Sequence, residues 1–202
     1  MNREQITTIL WPEADPETAT NHFKVVLNTL NQVLEPERPA GSQPFFIQRR
    51  HEQYGLNPNA SIQVDTELFC ELLRQKDQDK LDSAASLYRG RYFENETIQE
   101  WFVSDEQYYH QLNISTLEML IDQKMAQDNL ETALVYANQL IAWDMLWEPA
   151  YGRLLTIYHR MGNLGMVQHV FQQCHQIMAQ KLDSDVSPEF QDLYDELMNK
   201  KR

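Results

Sequence analysis

Apolar residues recur along most of this chain at intervals of three and four, the spacing that gathers side chains on one face of a helix. In "NREQITTIL", Ile6, Ile9 and Leu10 follow Asn2, which can cap the free amides while Gln5, three positions on, reaches back; Pro12 predicts the end. "DPETATNHFKVVLNTLNQVL", residues 15–34, predicts a second helix, with Asp15 as cap and Pro16 in the first turn. Phe23, Leu27, Leu30 and Leu34 make its apolar stripe, and Asn21, Lys24, Asn28 and Asn31 repeat along another face. One face is expected to pack and the other to be wetted.

After the turn-rich "PERPAGSQ", two short aromatic and aliphatic runs, Phe45–Arg49 and Gln53–Asn57, flank a polar "RHE", which predicts a β-hairpin. Two helices and then a hairpin is the order of a winged helix-turn-helix, with the hairpin as its wing. From "VDTELF" onward, helical periodicity takes over. It predicts helices over 66–76, 79–89, 105–126, 130–142, 147–161, 164–179 and 188–199, with Asp65, Ser104 (with Gln107) and Ser187 (before Pro188) as caps.

Within this region the chain resembles itself. "AQDNLETALVYANQL" aligns with "RMGNLGMVQHVFQQC", pairing Asp128 with Gly162, Asn129 with Asn163, Leu130 with Leu164, Ala133 with Val167 and Leu140 with Cys174, each 34 residues apart. That is the period of the tetratricopeptide repeat, and Tyr151, Leu154, Tyr158 and Gly162 fall at the spacing of its signature. Each such repeat leaves one apolar face bare until a neighbour stacks on it. The predicted pair in 66–89 therefore serves as an earlier, degenerate repeat and 188–199 as a closing helix.

Composition narrows the function. The 202 residues carry a formal charge of −13, distributed as −2 over residues 1–58 and −11 over the rest. No charged-then-apolar leader and no run of about 18 apolar residues occurs, so a cytoplasmic protein with no membrane partner is expected. Cys70 and Cys174 lie in apolar helical patterns and read as reduced core thiols. His169, Cys174 and His175 miss the spacing of three or four that sets metal ligands on one helix face, so neither metal nor cofactor is expected. No nucleophile-and-base spacing or phosphate-binding glycine loop appears, and an enzyme is not expected.

The segments "VDTELFCELL", "AASLYRGRYF", "EWFVSDEQYYHQL", "DNLETALVYANQLIAWDMLWEPAYGRLLTIYHRMGN" and "VSPEFQDLYDEL" occur in that order. Together they resemble the bacterial transcriptional activator domain, a tetratricopeptide-like helical domain that follows an OmpR-like winged helix in regulators of the antibiotic-regulatory-protein class. "LWPEADPETATNHFKVVLNTLNQVL" and "YGLNPNASIQVD" are similar to the second half of that winged helix. The resemblance implies a mainly α fold, with a partial winged helix-turn-helix and β-hairpin wing at 1–64 and a tetratricopeptide-like domain at 65–202. It further implies a preceding sheet and helix, lost or supplied by another part of a larger multidomain regulator.

By that resemblance residues 15–34 hold the place of the DNA-reading helix. Asn21, Lys24, Asn28 and Asn31, with Arg49 and Arg50 on the wing, are the candidate DNA-binding residues. Asparagine can read adenine edges, and Lys and Arg neutralise phosphates. The family's helix carries cations in a pattern such as "SRLRKAL", where this chain has "NTLNQVL", so DNA binding is expected to be weak or partner-dependent. The partners expected are promoter DNA and, through the repeats, a protein or a second copy of the chain. Trp101, Tyr108, Tyr109, Trp143, Trp147 and Tyr151 could line a peptide groove but are expected mainly in the core. A protein-interaction scaffold without DNA binding is the alternative function.

Overall fold

The structure is a computed structural model that describes residues 1–75, 77–93 and 100–199. The chain divides into two compact units, Met1–Gln63 and Val64–Arg202.

The first unit contains α1 (Arg3–Leu10), α2 (Pro16–Leu34) and a two-stranded antiparallel sheet of β1 (Ile47–Arg50) and β2 (Gln53–Leu56). The sequence signals for both helix starts are realised at the atoms. Gln5 N–H donates to Asn2 Oδ1 at 2.8 Å, and Asn2 N–H donates to Gln5 Oε1 at 2.9 Å, closing a capping box. Asp15 Oδ1 accepts from the amides of Glu17 and Thr18, both at 3.1 Å, and the Thr18 hydrogen bonds foremost hold its carboxyl below the usual value.

The hairpin pairs Ile47 with Leu56 and Arg50 with Gln53 across a two-residue turn, His51–Glu52. Both turn residues have positive φ, 46° and 68°, the backbone that matches strand twist in tight hairpins but that glycine and asparagine adopt more easily. Such a residue costs roughly 1–3 kcal/mol, offset by the pairing on either side. On the outer edge of β2, Tyr54 N–H donates to Met1 carbonyl oxygen at 2.7 Å, and the Met1 ammonium donates to Tyr54 carbonyl oxygen at 3.1 Å. Phe23 meets Tyr54 edge to face, with ring centroids 4.9 Å apart, and ties α2 to the hairpin.

The second unit is helical among its described residues: α3 (Asp65–Arg74), α4 (Gln78–Leu87), α5 (Glu100–Ala126), α6 (Leu130–Trp143), α7 (Glu148–Arg160), α8 (Leu164–Leu182) and α9 (Pro188–Asn199). α3 packs on α4, α5 on α6 and α7 on α8, and α9 lies chiefly on α7. The internal repeat is visible in its backbone. Asp128 and Gly162 both adopt positive φ, 57° and 75°. Asn129 and Asn163, 34 positions apart, cap α6 and α8 by accepting at 3.2 Å from the amides of Thr132 and Met166.

The equivalent positions Ala133 and Val167, and Leu140 and Cys174, are wholly buried in one core with Ile114, Leu117, Ile121, Tyr151 and Leu155. Both cysteines are free, and burial pushes the Cys174 thiol up to about 12. Charged side chains fasten successive repeats. Arg153 donates to Asp122 at 3.0 and 3.2 Å and to Glu118 at 3.0 Å, while Trp147 Nε1 donates to the same Glu118 oxygen at 3.0 Å. Glu148 holds α9 by accepting from the Ser187 amide at 2.9 Å and from its hydroxyl, and Ser187 Oγ caps Phe190 N–H at 3.2 Å.

Some local expectations change. Ser104 is not a cap but lies inside α5, which starts at Glu100. Phe93 packs against Trp101 and buried Phe102, with ring centroids 5.5 and 5.2 Å away, and so anchors the added turn. Asp65 is the first residue of α3, behind Val64 as cap; its carboxylate accepts from Thr66 N–H at 2.9 Å. The predicted end of that helix at Lys76 lies outside the described residues.

One histidine makes this unit sensitive to pH. His110 is buried, and Tyr88 hydroxyl lies 3.3 Å from its Nδ1. Burial, then the Arg91 charge, hold its pKa below 6.5 against the opposing carboxylates of Glu106 and Asp144. The unfolded chain thus binds the proton more readily. His110's contribution is fully present above pH 6.5 and is lost as pH falls through the depressed folded value. Thermal melts between about pH 7 and 5.5 should show a falling Tm, and His110→Gln should reduce the fall. An equal fall in the variant would contradict this.

Candidate nucleic-acid interface

In the first unit, α2 and the hairpin carry all six candidate residues. Asn21, Lys24 and Asn28, spaced three and four apart, are exposed and share one face of α2, as a base-reading row requires. Arg49 and Arg50 are exposed at the end of β1.

Asn31 departs from expectation. It is only 6% exposed and lies among the packed residues. Together with Leu27, Ile47 and Tyr54 it lines a cavity of about 400 Å³ between α2 and the hairpin. Among the described residues its Oδ1 meets no protein partner. At about 100° per residue, Asn31 falls between Leu27 and Lys24 in helical projection, at the margin of the wet face, and the hairpin closes over that margin. The buried line therefore runs Ala19, Phe23, half-buried Leu27 and Asn31.

The apolar stripe is corrected too. Leu30 and Leu34 are 42% and 39% exposed, and with Val26 and Val33 they leave an apolar face that no other element of the first unit covers.

The two arginines are presented differently. Arg49 sits opposite Tyr54 in the register, its guanidinium 5.8 Å from that ring's centroid and 3.8 Å from Glu52. This exposed ion pair holds it weakly. Arg50 donates through Nε and Nη2 to Gln48 Oε1, at 3.1 and 2.7 Å, so a neutral amide fixes the fork and leaves its charge uncompensated. Gln48, Tyr54 and Glu52 thus join the candidate surface as supports and as a competitor. The i, i+2 spacing of Gln48 and Arg50, and the pairing of Arg49 with Tyr54, are the signals that would have found the first two.

This arrangement can do electrostatic and hydrogen-bonding work. Lys24, Arg49 and Arg50 offer on the order of three phosphate contacts, against roughly 6–10 in strongly salt-dependent binders. Asn21 and Asn28 offer amides to base edges.

Among the described residues no His, Cys, Asp or Glu group is placed to hold a metal ion, and no helix is long and apolar enough to cross a membrane. His175 instead pairs with Asp185 at 2.9 Å. The six aromatic residues weighed for a peptide groove divide: Tyr151 is buried, Trp143 and Trp147 pack on the core, Tyr109 is half-buried, and Trp101 and Tyr108 are exposed.

Residues 73–198 match the family described as the bacterial transcriptional activator domain. In fold the chain is similar to Mycobacterium tuberculosis EmbR, solved in complex with a low-affinity phosphopeptide. The TM-score is 0.65 at 14% sequence identity, covering 100% of this chain and 55% of that one. The chain therefore spans about half the length of that protein. No curated protein sequence matches it.

Proposed function

The chain belongs to the bacterial transcriptional activator domain family, and from that premise we propose that it is a transcription regulator, or part of one, and not an enzyme. The α2–hairpin unit meets promoter DNA, and the helical repeats take a protein partner or a second copy of the chain. The observation that carries this reading is the exposed row Asn21, Lys24 and Asn28 with the two arginines at the hairpin end. α2 sets the row in the groove, Lys24, Arg49 and Arg50 neutralise phosphates, and the asparagines supply sequence preference. Asn31 leaves the contact set and supports the packing of the hairpin.

Binding through so few cations is weak, and the bare face of Val26, Leu30, Val33 and Leu34 supports its being partner-dependent. That a protein of the same fold takes up a phosphopeptide is in keeping with a peptide partner here. The scaffold alternative draws on charge: residues 59–202 carry −11 of the −13 and repel phosphate.

The test is fluorescence anisotropy on a labelled promoter-length duplex. Lys24→Ala, Arg49→Ala and Arg50→Ala combined should weaken binding by on the order of tenfold or more at low salt. Unchanged binding in that triple variant would rule out this interface.

A further inference from the structure

In the helical unit, a pocket of about 460 Å³ opens between the start of α3, the connector after α4 and α5. Its size lies within the roughly 300–1,000 Å³ typical of small-molecule sites. Its inner surface is aromatic: buried Phe69, half-buried Tyr88, and Tyr92 against Tyr109 with ring centroids 5.3 Å apart. Its rim is charged, with Asp65 from α3 and Arg89 and Arg91 on either side of Gly90. Nothing in the DNA-binding reading uses this pocket, and it lies in the other unit.

The rim decides what charge would be held. Arg91 is engaged at 2.9 Å by Glu106, but Arg89 is 79% exposed and its contact with Asp65 is long, 3.4 Å. An exposed pair of this kind exchanges partners at little cost. Asp65 also accepts from Thr66 N–H, so its carboxylate is already engaged on the protein side. The first turn of α3 adds a positive dipole end at the same rim. Arg91 is thus taken up by Glu106, while Arg89 and the helix start share the single carboxylate of Asp65. Tyr92, pushed upward by burial and then by Asp105, Tyr109 and Asp65, keeps its phenol proton and remains a donor.

We propose that this pocket binds a small, flat aromatic molecule bearing a negative charge, its ring against Phe69, Tyr92 and Tyr109 and its anion on Arg89. The anion replaces Asp65 as the partner of Arg89, and the ring gains the edge-to-face and stacking contacts that aromatic walls offer. Such a site gives the helical unit a chemical input separate from any macromolecular contact.

The experiment is a calorimetric titration of the full chain, without DNA, with naphthalene-2-sulfonate, a flat aromatic anion. One saturable site per chain is expected. Arg89→Gln should weaken it about tenfold, and Tyr92→Leu about fivefold. Lys181→Gln, exposed on α8, should leave it unchanged. Cationic thioflavin T should bind about tenfold more weakly than the anion. Because Arg89 is exposed, its variant should keep its circular dichroism and cooperative melt. No saturable binding, equal affinity in folded Arg89→Gln, or tighter binding of the cation would overturn the proposal.

Discussion

Replacing Ala133 by arginine is expected to unfold the helical unit. Ala133 is wholly buried on α6 and shares its core with Ala137, Leu140 and residues of α5 and α7. Its counterpart one repeat later, Val167, is equally buried, so the position is where paired helices come close in both copies. Arginine adds a long side chain where there is room for one methyl group, and a charge where no acid is placed to meet it. Burying an unpaired charge and overpacking a core are both mechanisms behind the largest single-residue losses, about 4–5 kcal/mol or more. A domain's whole stability is about 5–15 kcal/mol. Circular dichroism should show most of the helical signal lost, with no cooperative melt. Val135→Arg, exposed two positions away on the same helix, should change stability by no more than about 0.5 kcal/mol. A cooperative melt of Ala133→Arg at the native temperature would contradict the repeat packing.

The second large effect has the opposite sign. Asn113, in the middle of α5, is wholly buried, and among the described residues neither its Oδ1 nor its Nδ2 meets a protein partner. A buried polar group left unpaired costs about 1–3 kcal/mol, whereas leucine, with the same branching and number of side-chain heavy atoms, would gain contacts there. Asn113→Leu should therefore stabilise the unit by about 1–3 kcal/mol, raising its Tm by roughly 5 °C. A lower Tm would mean that the amide is satisfied in solution, by water or by an alternative side-chain position.

The repeats were legible in the sequence because their determinants are local and recur at fixed distance. Asn129 and Asn163 cap the same way, Asp128 and Gly162 turn the same way, and apolar positions between them keep one register. Capping at Asn2 and Asp15 was legible for the same reason. What escaped depends on contacts from elsewhere in the chain. Asn31 reads as a wet residue until the hairpin lies beside it, and Leu30 and Leu34 read as core although no other element of the first unit covers them. Ser104 has the spacing of a cap, but Phe93 and Phe102 carry the helix past it. The hairpin was legible from its flanks, while its turn of two left-handed non-glycine residues was not. The pocket at Arg89 was illegible because three separate segments build it.

Of the six candidate DNA-contacting residues, five are exposed on α2 and the hairpin, and Asn31 is packed beneath the hairpin. The direct test of that surface is the salt dependence of binding to duplex DNA, since each phosphate contact adds about 0.9 to the slope of log K against log salt. With Lys24, Arg49 and Arg50 as the contacts, anisotropy titrations from about 50 to 200 mM salt should give a slope near −3, flattened toward zero when all three are alanine. No binding at about 50 mM salt, or a slope the triple variant leaves unchanged, would contradict the account.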